Sequence, residues 1–140
     1  MRQTLLFAAL AASLALLSGC ALSRAKEDKA EDMPDKAAYH KISAEEAYEM
    51  MSSQEVVVVD VRTREEYDGG HIENAVLVPN ESIGSVMPEA LPDKEATLLI
   101  YCRSGRRSKD AAQKLLALGY QSVYDFGGVI DWPYELVKEG

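Results

Sequence analysis

The chain has 140 residues, with 15 Lys and Arg against 23 Asp and Glu, and a formal net charge of −8. Hydrophobic residues make up 47% of it, which is enough for the core of one ordinary domain. An acidic surface repels the phosphates of nucleic acids, so we exclude nucleic acid as a partner. The two cysteines form no CxxC pair and the two histidines lie far apart, so we expect neither a metal site nor a cofactor.

The N-terminus carries an apolar run over Leu5–Leu17 that follows Arg2. It is shorter than the roughly 20 residues of a membrane span and is typical of a secretory signal. The run ends in Leu17-Ser18-Gly19-Cys20, which resembles the lipobox of bacterial lipoproteins. That resemblance implies cleavage after residue 19 and lipidation of Cys20. The alternative is an uncleaved membrane anchor with an incidental cysteine.

The segment after Cys20 predicts how the protein is held at a membrane. Acyl chains on Cys20 would anchor the chain, since each buried methylene contributes roughly 0.8 kcal/mol. Residues 20–38 are rich in Ala, Lys, Glu and Asp and contain the helix breaker Pro34, so we interpret them as a flexible tether, with a short helix as the alternative. We therefore divide the chain into a signal peptide (1–19), the lipidated Cys20 and tether (20–38), and a folded domain (39–140).

These features predict an exported, membrane-anchored lipoprotein at the periplasmic face. Ala21 and Leu22 follow Cys20, whereas enteric lipoproteins retained at the inner membrane carry aspartate there. This resembles outer-membrane sorting if the host is Gram-negative. Disulfides are permitted in such a compartment, and a lipidated Cys20 leaves Cys102 without a partner in the chain. An unpaired thiol there is either well buried or present for its reactivity.

Within the folded domain, predicted strands alternate with predicted helices. Capping boxes, in which Ser43 precedes Glu46 and Thr63 precedes Glu66 by three residues, predict where two helices begin. Continuous β-branched runs predict strands buried on both faces. The alternation predicts an α/β domain with a central, mostly parallel sheet flanked by helices. The predicted elements are a helix from Ser43 to about Ser52, a strand over Val56–Val59, a helical turn stopped by Gly69-Gly70, a strand over Ala75–Val78, an irregular short helix within 81–93, a strand over Thr97–Tyr101, a helix over Ser108–Leu118, a strand over Ser122–Phe126, a turn at Gly127-Gly128 and a last helix over Ile130–Lys138.

The main chemical signal lies where the strand Thr97–Tyr101 runs into Cys102 and a polar loop. In an open α/β sheet, ligands bind at the carboxyl ends of strands, where the following helix presents N–H groups. These amides and the three arginines within residues 103–107 favour a thiolate over a thiol and would bind an incoming anion. Gly105 allows the loop to curl so that its amides point inward. The alternative is a core cysteine at a strand end, but charges that are costly to bury surround it.

The segment that contains Cys102 resembles the active-site loop of the rhodanese superfamily, and the resemblance covers about residues 40–138. The matching segments are Val59-Asp60-Val61-Arg62, Glu65-Glu66-Tyr67, Gly70-His71-Ile72-Glu73-Asn74-Ala75, Leu98 to Ser108, and Phe126-Gly127-Gly128 with Trp132. Members of this family take a sulfane sulfur from a donor such as thiosulfate onto a cysteine as a persulfide. They then pass it to cyanide or a thiol. The resemblance therefore implies a sulfurtransferase with a single rhodanese-like domain.

The resemblance also implies roles for individual residues. Cys102 is the nucleophile, and the loop that binds the substrate and cradles the persulfide is formed by Arg103, Ser104, Gly105, Arg106 and Arg107. Of these, Arg106 and Arg107 would orient the anionic donor. Asp60 and Arg62 support the site structurally, with direct catalysis as the alternative. His71 is a structural signature residue, with a catalytic base as the alternative, and Trp132 belongs to the core or its rim.

Two other functions are weighed against sulfur transfer. Related cell-cycle phosphatases place an arginine six residues after the cysteine, but Ser108 occupies that position here. The shorter six-residue loop, Cys102 to Arg107, suits a compact sulfur ligand better than a phosphate or an arsenate. The second alternative is a module that carries sulfane sulfur or binds a protein at the membrane surface without turnover. Rhodanese domains that lack the cysteine act as binding modules, and this chain retains Cys102, which favours chemistry.

Overall fold

The computed structural model describes residues 38–139. The predicted signal peptide, Cys20 and the tether up to residue 37 lie outside the described residues, so what we expect of them stays a prediction. Ala38, the last residue of the predicted tether, is the first residue of a strand. Among residues 38–139, none of the helices is long and apolar enough to cross a bilayer.

Strands and helices alternate along the described chain. The strands are β1 (Ala38–Lys41), β2 (Val57–Asp60), β3 (Val76–Leu77), β4 (Thr97–Cys102) and β5 (Ser122–Gly128). The helices are α1 (Ala44–Ser53), α2 (Arg64–Asp68) and α3 (Arg106–Ala117), and two 3₁₀ turns cover Asn80–Ser82 and Val129–Asp131.

The five strands of residues 38–139 form one sheet in the order β1-β5-β4-β2-β3, and every neighbouring pair is parallel. The predicted α/β architecture is thus confirmed. β4 lies at the centre, and the chain runs outward from β2 to β3 before it crosses back to β4. Ligands bind at such switch points of parallel sheets, outside the carboxyl ends of the strands. Cys102 is the last residue of β4.

Helices cover both faces of the sheet. On one face, Ala111 and Leu115 of α3 pack against Val59 and Ile100, and all four side chains are fully buried. On the other face, Ala47 of α1 lies in a second cluster of side chains that come from α2, β2, β4 and β5. Cys102 belongs to the cluster on the α3 face. Its side chain therefore points toward the helix that follows it in the chain.

Both predicted capping boxes are formed. The Glu46 N–H donates to Ser43 Oγ at 3.1 Å, and the Ser43 N–H donates to the Glu46 carboxylate at 2.7 Å. The same pair of contacts joins Thr63 and Glu66, at 3.3 and 3.0 Å. Each box satisfies backbone N–H groups that a helix start leaves unpaired, which fixes where α1 and α2 begin.

Several sequence-based boundaries were wrong. α3 begins at Arg106 rather than Ser108, because Gly105 precedes it with a left-handed φ of 103°. The residues Gly127-Gly128 do not turn the chain but extend β5, in register with Tyr101 and Cys102.

The predicted helix over Ile130–Lys138 is also wrong. A 3₁₀ turn ends at Asp131, Pro133 then cannot supply a backbone N–H, and Val137 pairs with His71 in an antiparallel bridge. The edge strand β1 was not predicted, since it is short and carries no apolar run.

Candidate active site

Cys102 is held at the carboxyl end of the central strand by a tight loop. Arg103, Ser104 and Gly105 connect β4 to α3, and the cysteine residue is 1% exposed. It forms no disulfide within the described residues. As predicted, the loop curls at Gly105, whose φ of 103° is a conformation that favours glycine.

Backbone amides surround the Cys102 sulfur. The Gly105 N–H donates to Sγ at 3.0 Å. Burial raises the pKa of the thiol, but hydrogen bonds from the Ser108 amide, the Gly105 amide, the Ser108 hydroxyl and the Ser104 amide outweigh it, so the pKa lies below its ordinary value. The start of α3 adds its partial positive charge at the same place. This environment favours a thiolate, which is the nucleophilic form of cysteine.

The end of β5 packs against the backbone of the Cys102 loop. A register shift between Ile100 and Tyr101 lets Gly127 adopt a φ of 91° and brings Gly128 beside the loop. A Cβ placed on Gly128 would lie 2.6 Å from the Ser104 Cα and would also meet the Arg103 carbonyl. Gly128 is therefore required for close approach of two backbones, a constraint that sequence reasoning did not find.

The three arginines of the loop occupy different environments. The side chains of Arg103 and Arg106 are exposed, and neither forms a salt bridge within the described residues. Arg107 is half-buried and donates to both carboxylate oxygens of Glu66, each at 2.8 Å. The Arg107 hydrogen bond is the main reason that the pKa of Glu66 is lowered to about 2. Arg107 is therefore a loop anchor in this structure, whereas Arg106 presents a free charge.

A cavity of about 570 Å³ lies beside the loop. Its lining is polar and carries charges of both signs, from Asn80, Glu81, Ser104, Arg106, Arg107 and Asp110. The cavity is large enough for a small anion, and Arg106 is the cation in its lining without a carboxylate partner within 4 Å among the described residues.

Asp60 and Arg62 form a buried ion pair next to β4. Arg62 donates through Nε and a terminal nitrogen to the Asp60 carboxylate, at 3.0 and 2.7 Å, and to the Gly70 carbonyl at 2.7 Å. Tyr101, directly before Cys102, donates its hydroxyl to Asp60 at 2.6 Å and accepts from the Ile72 N–H. The pair thus braces the strand that carries the cysteine, without contacting Sγ.

A second buried carboxylate, Asp125 of β5, lies on the opposite side of β4. It accepts from the Ser108 hydroxyl at 2.7 Å, from the Gly127 N–H at 2.8 Å and from the Tyr39 hydroxyl at 2.7 Å. Neither Asp125 nor Ser108 was predicted as a site residue. A charged residue inside the strand Ser122–Phe126 is the signal that could have revealed it.

The structure places His71 and Trp132 away from the sulfur. The His71 ring stacks on Tyr67 at 3.7 Å, and its Nδ1 lies 2.9 Å from the Tyr67 carbonyl oxygen, which is a structural contact. Trp132 packs against Phe126 at 5.5 Å in the cluster on the α1 face. Neither side chain is brought to Cys102.

The fold and site define an α/β domain in which backbone amides surround a cysteine at the carboxyl end of the central strand of a parallel sheet. Residues 43–133 match the rhodanese-like domain family, and the chain belongs to that family. A tRNA uridine(34) hydroxylase from Yersinia pestis (strain Pestoides F) is 31% identical over 106 residues, which cover 72% of this chain and 30% of that protein. The chain thus spans less than a third of the length of the curated relatives it matches.

Solved structures share the fold. A rhodanese from E. coli, described with anions, is 33% identical with a TM-score of 0.55, and the match covers 61% of this chain and 100% of that one. The human single-domain sulfurtransferase TSTD1 is 28% identical with a TM-score of 0.58, over 66% of this chain and 93% of that one. The family resemblance predicted from the sequence motifs is therefore confirmed.

Proposed function

We propose that this protein is a sulfurtransferase of the thiosulfate sulfurtransferase type, which transfers sulfane sulfur through a persulfide on Cys102. The observation that carries the proposal is the buried Sγ at the end of β4, held by the Gly105 amide at 3.0 Å. A thiolate in this cradle is stabilised by the amides around it, and three residues of the same loop and helix start, Ser104, Arg106 and Arg107, line the neighbouring cavity. The human single-domain sulfurtransferase and the rhodanese with anions are relatives whose names agree with this chemistry.

In the proposed reaction, the Cys102 thiolate attacks the outer sulfur of thiosulfate. A new S–S bond forms, the S–S bond of thiosulfate breaks, and sulfite leaves with the electron pair. Cyanide or a thiolate then attacks the outer sulfur of the persulfide, and the electron pair returns to Cys102 as a thiolate. Arg106 would orient the anionic donor, and the loop amides of residues 103–107 would hold the charged outer sulfur.

Steady-state kinetics test this proposal. With thiosulfate and cyanide, the full chain should form thiocyanate, and Cys102→Ser should abolish it. Arg106→Ala should raise the KM for thiosulfate by about tenfold with a small change in kcat, as expected for one lost charge-assisted contact. Arg64→Ala is the matched control, since Arg64 is an exposed arginine on α2. Unchanged kinetics for Arg106→Ala would contradict its role, and Cys102-dependent hydrolysis of an aryl phosphate would favour a phosphatase instead.

The alternative is a carrier or binding module at the membrane surface that holds sulfane sulfur without turnover. It predicts that Cys102 accepts one sulfur atom from a donor but that thiocyanate or thiol product forms at no more than one equivalent. A pre-steady-state time course separates the two, because an enzyme continues past the first equivalent.

We also propose that the protein is an exported lipoprotein anchored through Cys20. The lipobox-like segment Leu17-Ser18-Gly19-Cys20 supports this proposal. Labelling of cells with a palmitate analogue should mark the full chain and should not mark Cys20→Ser. Equal labelling of both forms, or none of either, would contradict it.

A further inference from the structure

Ser108, the residue that separates this loop from a phosphatase loop, lies between Cys102 and Asp125. It is fully buried in the first turn of α3. Its hydroxyl has one proton and three oxygen neighbours: an Asp125 carboxylate oxygen at 2.7 Å, the Gly105 carbonyl at 3.0 Å and the Gly127 carbonyl at 3.4 Å. The carboxylate is the closest of these and the only one of the three with a full charge. It is therefore the strongest competitor for the proton.

The same hydroxyl adjoins the cradle of the Cys102 sulfur, because the Gly105 carbonyl that lies 3.0 Å from Ser108 Oγ belongs to the residue whose N–H donates to Sγ at 3.0 Å. Hydrogen bonding by this hydroxyl is also one of the causes that lower the pKa of the Cys102 thiol. A neutral thiol can donate its proton to Ser108 Oγ while Ser108 donates to Asp125. A thiolate instead needs a donor, and Ser108 can serve only by turning its proton away from Asp125. One hydroxyl is thus shared between a buried carboxylate and the reactive sulfur.

The Asp125 carboxylate is buried but has several hydrogen-bond donors around it. It is 1% exposed, yet it accepts from Gly127, Tyr39 and Ser108, and Lys41 Nζ lies 3.4 Å from it. A buried carboxylate of this kind is costly unless each oxygen has partners. These partners hold the carboxylate next to the start of α3.

We propose that Asp125 is a positioning residue that acts through Ser108, by holding the hydroxyl proton until the Cys102 sulfur becomes charged. Ionisation of the thiol then costs Asp125 one hydrogen bond. Asp125 therefore restrains thiolate formation, whereas the Ser108 hydroxyl promotes it. The inference rests on the proposed function in that it concerns the same cysteine, but its test needs no sulfur donor.

Other titratable groups lie around Cys102, Ser108 and Asp125. They are Arg103, Arg106 and Arg107 in the loop and α3, Glu66 in α2, Glu81 in the 3₁₀ turn, Asp110 in α3, and Lys41 and Tyr39 in β1. A through-space effect of Asp125 must therefore be separated from an effect that passes through Ser108.

A double-mutant cycle on Asp125→Asn and Ser108→Ala makes this separation. The full chain carries Cys20→Ala in every variant, so that Cys102 is the only thiol. The readout is the rate of alkylation by iodoacetamide as a function of pH, which reports the thiolate. At a pH below the alkylation midpoint measured for the parent chain, where the rate follows the thiolate fraction, Asp125→Asn should react roughly tenfold faster and Ser108→Ala roughly tenfold slower, the ratio given by one hydrogen bond to a charged group.

In the double variant, Asp125→Asn should no longer accelerate alkylation, because the hydroxyl that links the two groups is gone. Equal acceleration with and without Ser108 would mean that Asp125 acts through space, and this would overturn the proposal. Shifts in the same direction for both single variants would indicate a loosened loop and would also overturn it. Asp93→Asn removes a matched exposed charge near the opposite end of β4 and should leave the rate unchanged.

Tyr39→Phe keeps the proposal testable if Asp125→Asn does not fold, as judged by circular dichroism. It removes one donor from the far oxygen of Asp125. The carboxylate should then hold the Ser108 proton more strongly, and alkylation below the midpoint of the parent chain should become slower. An unchanged or faster rate would contradict the proposal. If the alkylation rates change as expected but Cys102 takes no sulfur from any sulfane donor, the proposed sulfur transfer is refuted and the positioning role of Asp125 stands.

Discussion

Two buried carboxylates flank the strand that carries Cys102, and they are held in different ways. Asp60 on β2 has its own buried counterion, because Arg62 lies 2.7 Å away with a side chain that is 6% exposed. Asp125 on β5 has Lys41 at 3.4 Å, and the Lys41 side chain is 53% exposed. The Asp60 charge is thus balanced by a buried ion pair. The Asp125 carboxylate is stabilised mainly by hydrogen bonds, one of which comes from Ser108.

The difference shows that burial of a charge does not define its role. Within the described part of the chain, the Asp60 carboxylate accepts only from Arg62 and from Tyr101 of β4, and Arg62 in turn donates to the Gly70 carbonyl. One of the hydrogen bonds of Asp125 leads to Ser108 in the first turn of α3, whose amide is among the donors that lower the pKa of the Cys102 thiol. We therefore expect substitutions at Asp60 to change mainly stability and substitutions at Asp125 to change mainly the reactivity of the thiol.

The largest expected effect is the loss of stability in the Asp60→Asn variant. Loss of this carboxylate leaves Arg62 buried and unpaired, which should lower the free energy of unfolding by about 3–5 kcal/mol. Urea denaturation of Asp60→Asn and Asp125→Asn side by side measures it, with Asp93→Asn as the exposed control. A smaller loss of unfolding free energy for Asp60→Asn than for Asp125→Asn would contradict the assignment of Asp60 to stability.

An intermediate effect is expected for Gly128→Ala, where β5 meets the loop. The added methyl group would collide with the Ser104 and Arg103 backbone, so the loop must shift at a cost of about 1–3 kcal/mol. Alkylation of Cys102 should lose its lowered pH midpoint, because the amides no longer converge on Sγ. Gly84→Ala is the control, since a Cβ there meets nothing within 4 Å. Similar behaviour of the two variants would exclude a close-approach role for Gly128.

A smaller effect concerns the Glu66–Arg107 pair that anchors the loop. Because the folded pKa of Glu66 is lowered from 4.5 to about 2, its contribution to stability is present above about pH 4.5 and is lost as the pH falls toward 2. The amount is on the order of 1 kcal/mol, since the pair is partly exposed and screened. Between these pH values, the free energy of unfolding should depend less on pH in Glu66→Gln than in the parent chain. Identical pH dependence would show that the pair does not anchor the loop.

The sequence predicted features that depend on local chemistry. Capping boxes at Ser43 and Thr63, the β-branched run of β2 and the turn at Gly105 involve only neighbouring residues, and the structure confirms them. The alternation of strands and helices predicted the parallel sheet, and the strand that runs into a polar loop at Cys102, together with the family motifs, predicted the cysteine loop. The sequence could not predict three contacts, because each joins residues that are far apart in the chain. They are the hydrogen bond from Ser108 to Asp125, the ion pair of Glu66 with Arg107, and the close approach of Gly128 to Ser104.

The last predicted helix failed for a related reason. The segment after Asp131 is apolar enough for a helix, but Pro133 interrupts it and His71 offers a backbone partner for Val137. Tertiary contacts of this kind override local propensity.

The most direct test of the central claim is the intact mass of the full Cys20→Ala chain after it is mixed with thiosulfate, beside the same chain with Cys102→Ser. We predict a gain of one sulfur atom that requires Cys102 and disappears when cyanide or a thiol is added. A gain with a polysulfide but not with thiosulfate would keep the persulfide and change the donor. No gain with any sulfane donor would contradict the account that Cys102 carries sulfur.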